Sequence, residues 1–255
     1  MKDKLRTIRI LSLIDKFTPV VLVLIFILIL FICNYECLSR FFTKDNPKGE
    51  LFKVFLTVAA GIVACIALYY TAKRVTAIEK SNVDTRFNNA IGHLGNDNPA
   101  VVLGGIHVLH QIAIEHENYR QIVHNLFCSY LRENSATLYK GTGKSNPSIK
   151  CPVIIQMLID YLFKPYNEVK NIYHFDSDLS GSVLKNCNFN TATITNCIFN
   201  SGTLTNCIFR FAKLTKCSFE STTLTKCGFG GSIVIECSFE KAKLIDCTPE
   251  KLQRT

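Results

Sequence analysis

From Ser177 to Cys247 the chain repeats itself every five residues, a period that belongs neither to an α-helix nor to a flat sheet. Written in tens, residues 186–195 read NCNFNTATIT, 196–205 NCIFNSGTLT, 206–215 NCIFRFAKLT, 216–225 KCSFESTTLT, 226–235 KCGFGGSIVI and 236–245 ECSFEKAKLI. Each ten splits into two fives. Large apolar residues stand at Leu179, Leu184, Phe189, Ile194, Phe199, Leu204, Phe209, Leu214, Phe219, Leu224, Phe229, Val234, Phe239 and Leu244. Two residues before each centre lies a smaller one, and every second small position from Cys187 onward is cysteine: Cys187, Cys197, Cys207, Cys217, Cys227, Cys237 and Cys247. The positions between are mostly Thr, Asn, Lys, Glu and Ser. Such a pattern fits a coil that turns a corner every five residues, with one large and one small side chain pointing inward on each side.

Fourteen consecutive centres without slippage make the segment resemble a pentapeptide repeat protein. The resemblance implies a right-handed quadrilateral β-helix with four pentapeptides per coil. Phe189, Phe209 and Phe229 would then stack in one column and Phe199, Phe219 and Phe239 in the opposite one. Aliphatic centres would fill the other two sides. Coils about 4.8 Å apart would make a rod roughly 17 Å long. Burying each phenylalanine is worth about 1.5–3 kcal/mol. The cysteines are expected as small, soft core residues, because a spacing of ten does not gather thiols for zinc or redox chemistry. Free thiols in that number point to a reducing compartment.

A second feature is apolar rather than periodic. Hydrophobic residues make up 48% of the chain and charged ones only 19%, with mean hydropathy +0.19. The excess is concentrated in two uncharged stretches of 19 residues, Phe17–Tyr35 and Val54–Ala72. At 1.5 Å per residue each reaches roughly 28 Å, the thickness of a bilayer core. No small-x-small cleavage site follows Ile32, so the first is read as a retained anchor. Lys2, Lys4, Arg6, Arg9 and Lys16 precede the first stretch, and Lys73, Arg74, Lys80 and Arg86 follow the second. The connection carries Arg40, Lys44, Lys48 and Lys53. Nine basic residues outside against four between favour both termini in the cytoplasm of a multi-pass inner-membrane protein. Leu5, Ile8 and Leu11 among the first basic groups fit either a lipid-lying helix or a solvated one.

The middle of the chain reads as short helices. Phe87, Ala90, Ile91 and Leu94 recur at helical spacing before Gly95-Asn96-Asp97-Asn98-Pro99 breaks the run. Asn98 is the expected N-cap and Pro99 the first helical residue. Val102, Ile106, Leu109, Ile112 and Ala113 mark the next helix. Ile122, Leu126, Phe127, Tyr130 and Leu131 mark a third, over Tyr119–Glu133. Ser135–Lys150 reads as a polar loop, and Pro152 opens a fourth helix through Ile155, Leu158 and Leu162. Gly104-Gly105 inside an apolar helix predicts a close helix contact, since glycine there costs about 1 kcal/mol. Arg86-Phe87, Leu94-Gly95 and Leu103-Gly104-Gly105-Ile106 resemble the segment before the repeats in membrane-anchored bacterial pentapeptide repeat proteins. Phe175–Ser182 resembles their entry into the first coil.

The predicted organisation is therefore a membrane-anchored α plus β-solenoid chain. Residues 1–16 form a basic segment, 17–35 and 54–72 two transmembrane helices, and 36–53 their loop. Residues 73–172 form a small α-helical region, 173–248 the β-helix and 249–255 a tail. The expected repeat core is Leu184, Cys187, Phe189, Ile194, Cys197, Phe199, Leu204, Cys207, Phe209, Leu214, Cys217, Phe219, Leu224, Cys227, Phe229, Val234, Cys237, Phe239 and Leu244.

No catalytic, cofactor-binding or metal-ligating residue is assigned. Gly141-Thr142-Gly143-Lys144-Ser145 resembles the end of a phosphate loop, but Leu138 stands where its first glycine belongs and no strand precedes it. His107 and His110, with Glu115, His116 and Glu117, lack a second ligand pair and are read as exposed or capping histidines. Pentapeptide repeat proteins that imitate DNA need an acidic rod. Residues 177–248 instead carry seven basic and five acidic side chains, which argues against that role. Diluted positive charge without an aromatic face also disfavours nucleic acid. The expectation is a non-enzymatic, membrane-tethered scaffold with membrane lipid and a protein as partners, self-association being compatible with it. The alternative is an oligomerising effector that alters membrane permeability in response to a trigger.

Overall fold

The computed structural model describes residues 47–140, 150–164, 173 and 175–248. The chain divides into two compact units, Met1–Ala77 and Ile78–Thr255. Helix α1 spans Pro47–Leu94 without interruption and contributes to both. Residues 47–53, expected in a loop, are helical: Pro47 supplies a preset first-turn φ, and no proline follows before Pro99. The stretch Ala59–Leu94 has a window of mean hydropathy 1.3, none of it buried, and is long and apolar enough to cross a membrane. Among the described residues it is the one helix that meets this description. The expected span 17–35 lies outside the described residues.

Within the second unit the helices are α2 (Pro99–Glu115), α3 (Arg120–Lys140) and α4 (Val153–Phe163), with a 3-10 turn at Glu117–Tyr119. Asn98 caps α2 by accepting the Ala100 amide on its side-chain oxygen at 2.9 Å, with Pro99 in the first turn. Val102, Ile106, Leu109 and Ala113 of α2 join Val123, Phe127 and Leu131 of α3 and Ile155, Leu158, Ile159 and Leu162 of α4 in one core. The buried stripe of α3 is phased differently from the expected one. Val123 and His124 face inward, whereas Ile122 is 49% exposed. α2 lies tight against α1 at Gly105, where an added Cβ would stand 2.8 Å from the His93 Cβ and 2.9 Å from the Ala90 carbonyl. Gly104 has open space around it, so only the second glycine is a contact residue.

The repeat forms a parallel β-solenoid. Its strands are β1 (Ser177–Asp178), β2 (Val183–Lys185), β3 (Thr193–Thr195), β4 (Cys197–Ile198), β5 (Thr203–Thr205), β6 (Lys213–Thr215), β7 (Thr223–Thr225), β8 (Ile233–Ile235) and β9 (Lys243–Ile245). The ladders β2-β5-β7-β9, β3-β6-β8 and β1-β4 are parallel, each in a register of twenty residues. Bridges Asn188–Ile208–Gly228–Thr248 add the fourth side. A coil of twenty residues thus has four five-residue sides.

The corners have a defined residue. Fourteen positions at intervals of five, from Gly181 to Asp246, take φ between 51° and 68°. Only Gly181 and Gly231 among them are glycine. The other twelve hold a left-handed conformation that L-residues seldom adopt. Inter-coil hydrogen bonds accompany it: the amides of Asn186, Asn196 and Asn206 donate to the carbonyls of Thr205, Thr215 and Thr225 at 2.8–2.9 Å.

Inside, Phe189, Phe209 and Phe229 stack at centroid distances of 4.5 and 4.9 Å. Phe199, Phe219 and Phe239 stack at 4.8 Å on the opposite side, all within 8° of parallel. Leu184, Ile194, Leu204, Leu214, Leu224 and Val234 are buried, with Cys187, Cys197, Cys207, Cys217 and Cys227. The last coil departs from the expected core. Cys237 and Phe239 are partly buried and Leu244 is 41% exposed, because β9 is paired with β7 alone among the described residues.

Candidate functional site

In a solenoid each coil satisfies the backbone of the next, so the first coil has an open edge unless something else covers it. Here the helices cover it, side chain by side chain. Within the solenoid Thr203 N–H donates to the Ser182 carbonyl; in the first coil Val183 N–H donates instead to Ser135 Oγ at 3.0 Å. Lys185 N–H donates to Tyr139 Oη at 2.7 Å, and that hydroxyl donates to the Lys185 carbonyl at 2.7 Å. Gln156 of α4 completes the edge, accepting Asn188 N–H at 2.8 Å and donating to the Asn188 carbonyl at 2.9 Å. Arg132 pairs with Asp178 beside them. Ser135 and Tyr139 fall four apart on one face of α3, and this corrects the expected loop. Residues 135–140 stay helical because they are the cap.

Two histidines are buried at this end, and of the cluster expected to be exposed or capping only His110 departs from that expectation. His110 is 3% exposed, stacked on Tyr161 at 3.7 Å and joined through Nδ1 to Tyr173 Oη at 3.0 Å. Burial, aided by neighbouring His107, lowers its pKa to about 4. His107 is exposed and bonds Tyr161 Oη at 2.9 Å, while His116 ends α2 with its backbone amide on Ile112. His124, which the sequence reading passed over, lies 2.9 Å from Ser177 Oγ and 3.8 Å from Cys128 Sγ. A nucleophilic pair would need a charged imidazole beside a thiolate. Desolvation does the reverse, lowering His124 and raising Cys128 to about 11. Among the described residues no three His, Cys, Asp or Glu side chains are placed to hold a metal ion. The segment Gly141–Ser145 lies outside the described residues.

The outward faces carry ladders of threonine, lysine and isoleucine side chains. Lys185, Thr205, Thr225 and Ile245 line one side, and Thr193, Lys213 and Ile233 another. Ion pairs such as Lys216–Glu236, at 3.7 Å, link adjacent coils on the surface. Phe211, at a corner, is 64% exposed, with the Arg210 guanidinium 5.6 Å above its ring.

The family model for pentapeptide repeats matches residues 175–210, in 8 copies. The C-terminal segment is a pentapeptide repeat solenoid. Similar solved structures include a trypsin-treated QnrB1, a plasmid-mediated fluoroquinolone resistance protein, at 16% identity and TM-score 0.17. That match covers 29% of this chain and 53% of the QnrB1 chain, so this chain spans about half of its length. The pentapeptide repeat protein Rfr23 from the cyanobacterium Cyanothece 51142 matches at 16% identity and TM-score 0.13, over 34% of this chain and 73% of its own. No curated protein matches. The pentapeptide repeat runs beyond the matched residues, since the same register continues to Thr248.

The cysteines follow the coil period rather than the spacing of ten. Residues ten apart lie on opposite sides, but those twenty apart are neighbours in successive coils. Cys187, Cys207 and Cys227 adjoin one another and perturb one another's thiols, and Cys237 Sγ accepts Cys217 N–H at 3.3 Å. The thiols are therefore gathered into columns, which a linear count of spacing conceals.

Proposed function

We propose that the protein is a non-enzymatic docking module whose pentapeptide repeat faces bind another protein and whose long apolar helix tethers it to a membrane. The carrying observation is the division of labour along the repeat. Every large repeated side chain up to Val234 is inward and buried, so what differs between coils is the outward ladder of Thr, Lys and Ile. Such a surface is rigid, and binding it loses little backbone entropy. The tether reading is supported by Leu68, Tyr69, Tyr70 and Ile62, which are 56–70% exposed on α1 and would be covered by lipid.

Capture from detergent extract with the full chain should recover a partner. A chain with Lys213→Glu and Lys243→Glu, both on exposed ladder positions, should lose it while keeping its circular dichroism. Equal recovery by both chains, or none by either, would refute docking through these faces. Membrane fractions washed with alkaline carbonate should retain the protein; its release would remove the tether.

A further inference from the structure

We propose that Cys151 and Cys187 are a redox-active dithiol that closes to a disulfide on meeting a hydroperoxide, bolting the segment ahead of α4 to the first coil. Their sulfurs lie 3.2 Å apart, nearer than ordinary contact, and both are free. A disulfide needs about 2.05 Å, so closure asks the two sulfurs to approach by only about 1.2 Å.

The position of Cys187 in its column explains why this pair differs from the others. Cys207, Cys227 and Cys247 each donate to a carbonyl of the preceding coil, Leu184, Leu204 and Leu224, at 3.4–3.5 Å. Cys187 belongs to the first coil and has no preceding carbonyl. In that place the segment ahead of α4 supplies Cys151 and α3 supplies Tyr139, whose hydroxyl is 3.4 Å from the Cys187 sulfur and 3.7 Å from that of Cys151. Hydrogen bonds from Cys151, Cys207 and Tyr139 outweigh burial and hold the Cys187 thiol below the ordinary range, while Cys151 is raised by the same contact. These opposite shifts favour the proton on Cys151, donated to the Cys187 sulfur across the 3.2 Å contact. Cys187 is fully buried, whereas Cys151 is partly exposed, so solvent meets the pair at Cys151.

The chemistry balances with hydrogen peroxide as the oxidant. Transfer of the pair's proton from Cys151 to Cys187 across the 3.2 Å contact puts the thiolate on the sulfur that solvent reaches, and this Cys151 thiolate attacks one peroxide oxygen. The O–O bond breaks, hydroxide leaves, and Cys151 becomes a sulfenic acid. The Cys187 sulfur then attacks the Cys151 sulfur, forming the S–S bond and expelling the oxygen as water. One thiol, one thiolate and one peroxide give one disulfide, one water and one hydroxide, which takes a proton from solvent to become the second water, with two electrons passing from sulfur to oxygen.

The test is made on the purified full-length chain, treated with hydrogen peroxide, unfolded, alkylated and digested with trypsin. The expected result is loss of alkylation at Cys151 and Cys187 together, with residues 151–170 joined to residues 186–210 through Cys187 by fragment-ion assignment. Dithiothreitol should restore both thiols. Cys187→Ser should abolish the link and leave Cys151 to oxidise alone. Should that variant not fold, Cys151→Ser, at the more exposed position, should leave Cys187 fully alkylated after peroxide. Alkylation of both thiols in the treated wild-type chain, sulfinic acid at Cys151 without a link, or a link from Cys151 to another cysteine would each overturn the proposal.

Discussion

Tyr139 both accepts the Lys185 amide and donates to the Lys185 carbonyl through one hydroxyl, each at 2.7 Å, and so stands in at that residue for a neighbouring strand. Replacing it with phenylalanine keeps the ring but leaves the Lys185 amide without this partner and its carbonyl with the weak Cys187 thiol contact at 3.6 Å. An unsatisfied buried group costs about 1–3 kcal/mol. Tyr139→Phe should therefore speed amide exchange at Lys185 while exchange in β7 changes little, as hydrogen-exchange mass spectrometry would register. Unchanged exchange at Lys185 would show that the helical cap does not protect this edge.

The two adjacent glycines of α2 should part company. Gly104→Ala adds a methyl group to open space and should be neutral or stabilise by up to about 1 kcal/mol, through helix propensity. Gly105→Ala pushes a methyl group against the His93 Cβ and the Ala90 carbonyl and should destabilise by about 1–3 kcal/mol. Urea unfolding of the two single variants compares them directly.

Depth in the phenylalanine columns should set the cost of truncation. Phe209 has a ring on each side, at 4.5 and 4.9 Å, and is fully buried. Phe209→Ala should cost about 3–5 kcal/mol. Phe239 has a ring on one side and is partly buried, so Phe239→Ala should cost clearly less. Equal shifts in the urea midpoint would contradict a core that thins toward the last coil.

His110 makes stability depend on pH in a stated direction. Its folded pKa of about 4 lies below the ordinary 6.5, so the unfolded chain binds the proton more readily. The contribution is complete above about pH 6.5 and is lost as pH falls toward 4, by roughly 3 kcal/mol in all. His124 shifts in the same direction. Unfolding midpoints measured between pH 7.5 and 4.5 should fall, and a histidine NMR titration should find His110 neutral at pH 5.5.

Much of the solenoid is legible in linear sequence because its period is local. Leu184, Phe189 and Ile194 face inward for one reason repeated, and each five-residue step exposes the same two positions. The helix start at Asn98-Pro99 is legible for a similar reason, as a cap needs only near neighbours. The stripe of α3 was harder to read. Ile122 and Val123 are equally apolar, and only the packing partners of the helix decide which of them turns inward.

What sequence alone determines here is therefore everything that recurs within five or ten residues: the coil, its inward centres, the aromatic columns and the long apolar stretch of α1. Tertiary structure decides what depends on residues far apart. Ser135, Tyr139 and Gln156 look like ordinary loop and helix residues until the open edge of β2 comes to rest on them. Cys151 and Cys187 are 36 residues apart and share no motif, yet their sulfurs meet. The physical reason is the same in both cases. Unpaired backbone groups and desolvated thiols must find partners, and only the folded chain determines which side chains are within reach.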